Sequence, residues 1–503
     1  AAMDFQIVPL SQDSLEWQCS LLKIGGLKVL LNCGWTEALD PKLLEPVVQH
    51  LPGLDLVLLT HADLRHLGGV PYLLAKHAVS CPVVCTEPIC RLGELACVAV
   101  LEDREKYQQA AAALDVDDVL RVFMSRVTQL NYRETYHVQK EGRSLAVCPY
   151  PAGGHLGSAY WTLSCGGVNA VYLVDGTLRR SRFLDGLDVQ RLLPNCRGAS
   201  QSWDVLITSP LPSMGGLLPQ RGVRQSPQEV TLASKAMAVA RSVREQVLLE
   251  GTISALRRGG TVLIPADVTG WIPEVLLLFE AAWSQDRQLA GNYPLVWLSS
   301  MGDMVLDQVK TRLEYMSQEV LKNFEQRFGH NPFVLRNVRI FQTLEDLCGA
   351  HALSRPKVIF CTSPHLDGGD SRELFTRLCA EPRNLTWLLG TPPAGSFGRQ
   401  LFDDFVVRHA AKKEYRLPHY LKEGLPEEQL RDYYEAKIQE MADKGDMVPP
   451  ELRPLKSEGT RLKLEEEEDA EADAALGVKT EGLPGAQVRA AVGALYCPPG
   501  WPA

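Results

Sequence analysis

The chain has 503 residues, 45% of them apolar and 22% charged, with a formal charge of −9. This is globular composition, long enough for two or three domains of about 150 residues each, and its acidic balance argues against broad, sequence-independent attraction to nucleic acid. No apolar run approaches a membrane span and Ala1 to Phe5 carries no basic-then-apolar leader, so a soluble, non-secreted protein is expected.

In the first 200 residues, short Leu- and Val-rich runs alternate with longer helical stretches. Strands are predicted at Lys28–Leu31, Leu56–Thr60, Pro82–Cys85, Leu145–Pro149 and Ala170–Val174, and helices at Asp40–His50, His66–Lys76 and Ile89–Glu102. A second α/β block runs from Pro227 to about Pro393. It opens on a helical run through Glu229–Arg258 that stops at Gly259-Gly260. Strand Thr261–Pro265 and helix Pro273–Trp283 follow, then strands at Leu295–Leu298, Val338–Phe341, Val358–Cys361 and Trp387–Leu389. Strands separated by helices indicate layered α/β packing. Beyond about Asp404 the composition turns to mixed charge. The run Glu465 to Asp473 repels itself and reads as disordered, and Tyr496–Pro502 is an aromatic and proline-rich end.

The chemistry-bearing segment follows the strand Leu56–Thr60: Thr60-His61-Ala62-Asp63-Leu64-Arg65-His66-Leu67-Gly68. The pattern His-x-His-x-Asp-His would gather imidazole and carboxylate ligands for two zinc ions on one loop. Here the outer histidines, His61 and His66, remain, while Asp63 replaces the middle histidine and Arg65 the aspartate. A guanidinium cannot ligate a metal and repels a dication. The 13 cysteines are an odd number scattered through apolar segments, which fits reduced thiols in a cytosolic or nuclear protein. Among them, Cys81, Cys85, Cys90 and Cys97 match a zinc knuckle poorly, because no second tight pair follows the first.

Taken with Leu30–Trp35, Pro151–Gly157, Tyr172–Asp175 and Ser371–Phe375, the loop resembles the metallo-β-lactamase/β-CASP family of RNA 3′-end-processing nucleases, and within it the non-catalytic members. The resemblance covers about residues 5 to 405. It implies an α/β fold, a metallo-β-lactamase αββα sandwich with an inserted β-CASP domain. The expected division is a metallo-β-lactamase-like domain at 1–208, the β-CASP domain at 209–395, a return segment and charged helical linker at 396–460, and an acidic, largely disordered tail at 461–503. Asn32 stands where the family has a supporting aspartate, Gly154 at a ligand histidine with His155 one residue late and expected to point elsewhere, and Ser209 at the acidic residue opening the β-CASP domain. Asp175 keeps the bridging-carboxylate position. The family's two late histidines have no counterpart before Ala503. One zinc site would thus retain His61 alone and the other His66 and Asp175, short of the four ligands each ion needs.

The resemblance therefore implies no catalytic residue, no metal and no cofactor: a nuclear scaffold of the pre-mRNA 3′-end cleavage and polyadenylation machinery, partnered by the active endonuclease paralogue and its other subunits, touching pre-mRNA weakly or indirectly, with no membrane. The alternatives are a divergent metal-dependent RNA hydrolase using His61, His66, His155 and Asp175, and the non-catalytic β-CASP subunit of the Integrator complex. Arg65 either pairs with Asp175 or Asp63 in place of a metal's charge or turns to solvent. Elsewhere, Asp267 reads as a helix cap and Asp367–Ser371 as a capped turn. Arg241, Arg244, Arg257 and Arg258 read as a solvated helix face, with an RNA path as the alternative. Arg179-Arg180-Ser181-Arg182 is a local basic patch.

Overall fold

The structure, a computed structural model, describes residues 5–11, 16–77, 79–107, 113–188, 192, 203–208, 241–326, 331–390, 392–407 and 415. Its first sheet runs in chain order: β1 (Phe5–Pro9), β2 (Ser20–Ile24), β3 (Leu27–Leu31), β4 (Leu56–Leu58), β5 (Val83–Thr86) and β6 (Val127–Leu130). The first three strands pair antiparallel, and from β3 onward the pairing is parallel. β4 and β5 are buried throughout, as parallel strands covered on both faces must be. Between β5 and β6 runs the 20-residue helix Glu87–Lys106, with Pro88 in its first turn and Arg104 and Lys106 in its last, which suits the helix dipole.

The second sheet has the spatial order β11 (Val205–Thr208), β10 (Val168–Leu173), β9 (Ala159–Cys165), β8 (Arg143–Pro151), β7 (Tyr136–Lys140), antiparallel except for the β10–β11 pair. The inner faces of the two sheets share one apolar core, where Val29, Leu31 and Leu58 meet Val147, Trp161 and Leu163. The third sheet is wholly parallel, in the order β14 (Val338–Phe341), β13 (Leu295–Leu298), β15 (Val358–Cys361), β12 (Val262–Pro265), β16 (Leu385–Thr386). Helices such as Arg241–Arg257, Ile272–Gln285 and Gly369–Leu378 connect its strands.

The sandwich and the third-sheet block belong to one compact unit. Ala62, Leu92, Leu95, Phe183 and Leu184 of the sandwich lie in the same apolar cluster as Ile264, Ile272 and Phe279 of the block. Polar bonds pin the seam. Arg312 Nε donates to Glu87 Oε2 at 2.6 Å, its Nη2 donates to Glu87 Oε1, and Tyr315 donates its hydroxyl to Asn131 at 2.9 Å.

Several expectations need correction. The stretch Asp40–His50 is a 3₁₀ turn, Pro41–Leu44, and a short helix, Glu45–Val48, because Pro46 interrupts the first bonds of a longer helix. His66–Lys76 divides into Leu64–Leu67 and Val70–Lys76 around Gly68-Gly69, with Pro71 in the second helix's first turn. The strand expected at Trp387–Leu389 lies two residues earlier, where Leu385 N and Trp387 N donate to Thr261 O and Leu263 O. The helix expected from Glu229 is described from Arg241. The acidic tail, the Tyr496–Pro502 segment, nearly all of the charged linker and the Arg241 side chain lie outside the described residues.

Candidate functional site

Three loops at the strand ends converge on one pocket. Past the end of β3, Asn32 N donates to Leu58 O, Cys33 N to His66 O and Trp35 N to Leu64 O, so Asn32–Trp35 clasps the histidine loop. Gly34 is required for this approach, since a Cβ there would lie 1.7 Å from Arg65 O. Asn32 is fully buried at φ +59°, a left-handed conformation that asparagine tolerates. Its Nδ2 donates to Tyr172 Oη at 2.8 Å and Thr60 Oγ1 at 2.9 Å, while its Oδ1 accepts from Thr60 N at 3.0 Å. The amide thus ties β3, β4 and β10 together.

Asp63 caps the short helix Leu64–Leu67: its Oδ1 accepts from His66 N at 3.1 Å and lies 2.6 Å from His66 Nδ1. The other ring nitrogen, Nε2, lies 3.2 Å from Asp175 Oδ2, at ion-pair distance but without hydrogen-bond alignment. Burial alone would lower the His66 pKa, but Asp63 and Asp175 on either side push it up to about 9, which makes it an imidazolium at neutral pH. Both carboxyls respond in kind. Against the upward pull of burial, His66 holds Asp63 and Asp175 well below the usual carboxylate range, with Arg65 adding to the effect at Asp175.

Arg65 does not turn to solvent. Its Nη1 donates to Asp175 Oδ2 at 2.6 Å, and Gln18 Nε2 reaches Asp175 Oδ1 at 3.3 Å. His61 is buried with its ring stacked on His66 at 4.3 Å between centroids and Nδ1 2.9 Å from Thr60 Oγ1. Burial, then the charges of His66 and His155, hold its pKa well below the usual histidine value.

His155 overturns the expectation that it points elsewhere. Gly153 and Gly154 take φ of +72° and +85°, which bends the loop inward. The ring then lies edge-on to His61 at 5.5 Å, with Nδ1 3.8 Å from Asp63 Oδ2. Across the seam, Trp271 stands edge-on to His155 at 5.0 Å, and Thr269 Oγ1 donates to Ala62 O at 3.2 Å. Ser209 lies outside the described residues.

These side chains are a poor fit to zinc. His66 presents both nitrogens to carboxylates, Arg65 occupies Asp175 Oδ2, and Gly154 supplies no ligand. Two cations, Arg65 and His66, balance two anions, Asp63 and Asp175, so a dication would enter a pocket already neutralised. Among the described residues, no group of three or more His, Cys, Asp or Glu side chains is arranged to hold a metal ion.

The remaining sequence candidates serve structure. Asp267 Oδ1 accepts from Trp271 N at 3.1 Å, ahead of helix Ile272–Gln285. The Asp367–Ser371 turn departs from expectation, because no side chain caps the following helix, Gly369–Leu378. Asp367 instead accepts from Phe397 N at 2.7 Å, at the start of helix Phe397–Phe402, and Asp370 takes Lys106 Nζ at 2.7 Å across the seam. Arg257 and Arg258 are exposed at the end of their helix. Sequence reasoning missed Gln18, Thr60, Tyr172, Thr269 and Trp271, none of which belongs to a local motif.

Comparison with known proteins gives this arrangement its family. Residues 21–200 match the metallo-beta-lactamase superfamily domain and residues 273–401 match the Beta-Casp domain. The chain is a metallo-β-lactamase/β-CASP protein. This metallo-β-lactamase/β-CASP chain is 30% identical over 384 residues to "Cleavage and polyadenylation specificity factor subunit 2" of Arabidopsis thaliana, covering 76% of this chain and 47% of that one. A probable subunit 2 of Drosophila melanogaster is 26% identical over 77% of this chain and 47% of its own length. The "Endoribonuclease ysh1" of Schizosaccharomyces pombe is 26% identical over 77% of this chain and 45% of its own. The chain spans about half the length of these curated relatives.

Proposed function

We propose that this chain is a non-catalytic scaffold subunit of the nuclear pre-mRNA 3′-end cleavage and polyadenylation machinery, pairing with the active endonuclease paralogue and assisting RNA binding. The observation that carries the non-catalytic part is the Arg65–Asp175 ion pair at 2.6 Å beside a doubly engaged His66. Dinuclear hydrolysis needs carboxylates free to bridge metal ions and an open position where water is activated. Here the bridging-carboxylate position is held by a guanidinium that stays protonated. Similarity to subunits named for cleavage and polyadenylation supports the choice of complex.

The test is zinc stoichiometry by elemental mass spectrometry, after exposure to excess zinc and removal of loosely held ions, followed by an RNA cleavage assay. Near-zero metal and no cleavage are expected. One or two tightly held ions that vanish in a His61→Ala, His66→Ala variant, with cleavage lost alongside, would overturn the scaffold reading in favour of a hydrolase. Affinity purification from nuclear extract separates the two scaffold readings: cleavage and polyadenylation subunits should come down, and recovery of Integrator subunits instead would reassign the complex.

A further inference from the structure

Trp271 is the most exposed tryptophan among the described residues, with half of its surface open, whereas Trp35, Trp161, Trp283 and Trp297 are buried. An open indole that is also held rigidly presents a flat apolar face at little entropic cost. This one is fixed from two sides. Its backbone N donates to Asp267 and its ring stands edge-on to His155.

The loop Thr177–Arg182 closes on the same pocket mouth from the sandwich side. Thr177 packs on the glycines that bend His155 inward, since a Cβ on Gly153 would lie 2.8 Å from Thr177 O and one on Gly154 3.3 Å from Thr177 Cγ2. At the loop's other end, Arg182 N donates to both carboxylate oxygens of Glu274 at 3.1 and 3.0 Å, in the first turn of the helix that follows Trp271. Between these ties the loop carries Leu178, 70% exposed, and Arg179. The other arginines of the patch are committed: Arg180 to Asp185 and Glu319, Arg182 to Glu245 and Glu274. Arg179 makes no ion pair among the described residues. The pocket floor beneath is internally neutral, so it does not repel an anion placed at the mouth.

We propose that this mouth binds one nucleotide of single-stranded RNA, with its base stacked on Trp271 and its phosphate against Arg179. The proposal rests on the RNA-assisting part of the function proposed above and deepens it. A π face beside one uncommitted guanidinium matches the base-and-phosphate unit of a single strand, which stacking proteins hold without reading sequence. Duplex RNA keeps its bases stacked on one another and offers none to the indole. An acidic protein segment would need several free cations, and the patch leaves one.

The experiment is titration of the full chain with a short oligouridylate, read by tryptophan fluorescence and anisotropy, against duplex RNA and an oligoglutamate peptide. The proteins are the parent, Trp271→Ala, Trp271→Phe, Arg179→Ala and, as a distant control, Arg258→Ala, each checked by circular dichroism. The expected result is quenching by oligouridylate and roughly tenfold weaker binding for Trp271→Ala. Trp271→Phe should retain most of the affinity, and Arg179→Ala should lower the log–log salt slope by about 0.7. If RNA binds the parent and Trp271→Ala equally, the proposal falls while the RNA-assisting reading stands. If no form binds RNA, both fall. Trp271-dependent binding of oligoglutamate in place of RNA would overturn the proposal in favour of protein docking.

Discussion

Arg65 and Asp175 stand 110 residues apart in sequence and 2.6 Å apart in space, the arginine inside the relic of a metal-binding loop and the aspartate at the end of the strand across the sandwich. The pair is one side of a four-charge balance completed by His66 and Asp63. Removing one partner leaves a largely buried charge without its closest counter-ion. Arg65→Ala should therefore destabilise the fold by about 1–3 kcal/mol, below the full buried-pair cost because the arginine is a quarter exposed. Urea denaturation of Arg65→Ala, Asp175→Ala and the double variant should show a coupling of about 1–2 kcal/mol. Additive losses would show that the pair contributes nothing.

His66 predicts a stability change on the alkaline side of neutrality. Its folded pKa of about 9 lies above the ordinary value of 6.5, so its contribution is fully present below 6.5 and lost as pH rises through 9. The stability lost over that window should reach about 3 kcal/mol, and Asp63→Asn should flatten most of the slope. Glu37 and Asp103 at the seam, each raised to about 7 by burial and neighbouring carboxylates, act in a lower window. Their contribution is present below about pH 4 and lost as pH rises through 7. Unfolding free energies measured from pH 4 to 10 should thus fall in two stages, and Asp103→Asn should remove part of the first alone.

Local patterns made much of this legible in advance. Leu295–Leu298, Val338–Phe341 and Val358–Cys361 were readable because parallel strands inside a helix-covered sheet form short apolar runs between turn signals. β7, Tyr136-His137-Val138-Gln139-Lys140, is partly exposed along its length and offers no such run. In the pocket, His61, Asp63, Arg65 and His66 were visible because they share one loop. Tyr172 reaches Asn32, and Gln18 reaches Asp175, only through the packing of β3 against β10 and of neighbouring loops, which no sequence spacing encodes. The inward turn of His155 depended on two glycines taking positive φ together, a choice the sequence permits without requiring it.

The bidentate Arg312–Glu87 pair joins the two halves where the arginine side chain is largely buried. Arg312→Ala should cost about 2–3 kcal/mol, and its effect should concentrate at the seam. Hydrogen exchange should accelerate around Asn131–Tyr132 and Leu313–Ser317, where Tyr315 bonds Asn131 and packs on Tyr132 at 5.0 Å. Uniform acceleration across the chain would mean that the pair supports global stability and not the joining of the halves.

Restoring the family's carboxylate by Asn32→Asp gives the sharpest test of whether the pocket has been rebuilt around its present residues. The amide is fully buried and donates from Nδ2 to both Thr60 and Tyr172. A carboxylate of the same shape has no proton for either bond unless it is itself protonated, and burial opposes its charge. Tyr172 can reverse its hydroxyl and donate, which recovers one bond. The Thr60 contact is harder to repair, because the threonine hydroxyl also lies 2.9 Å from His61 Nδ1. Asn32→Asp should therefore destabilise the protein by about 2–4 kcal/mol, with the loss shrinking at low pH as the new acid is protonated. Zinc stoichiometry should stay near zero, since Arg65 and His66 still engage Asp175. An Asn32→Asp variant as stable as the parent, or one that binds zinc tightly, would show that the ancestral site persists beneath the substitutions.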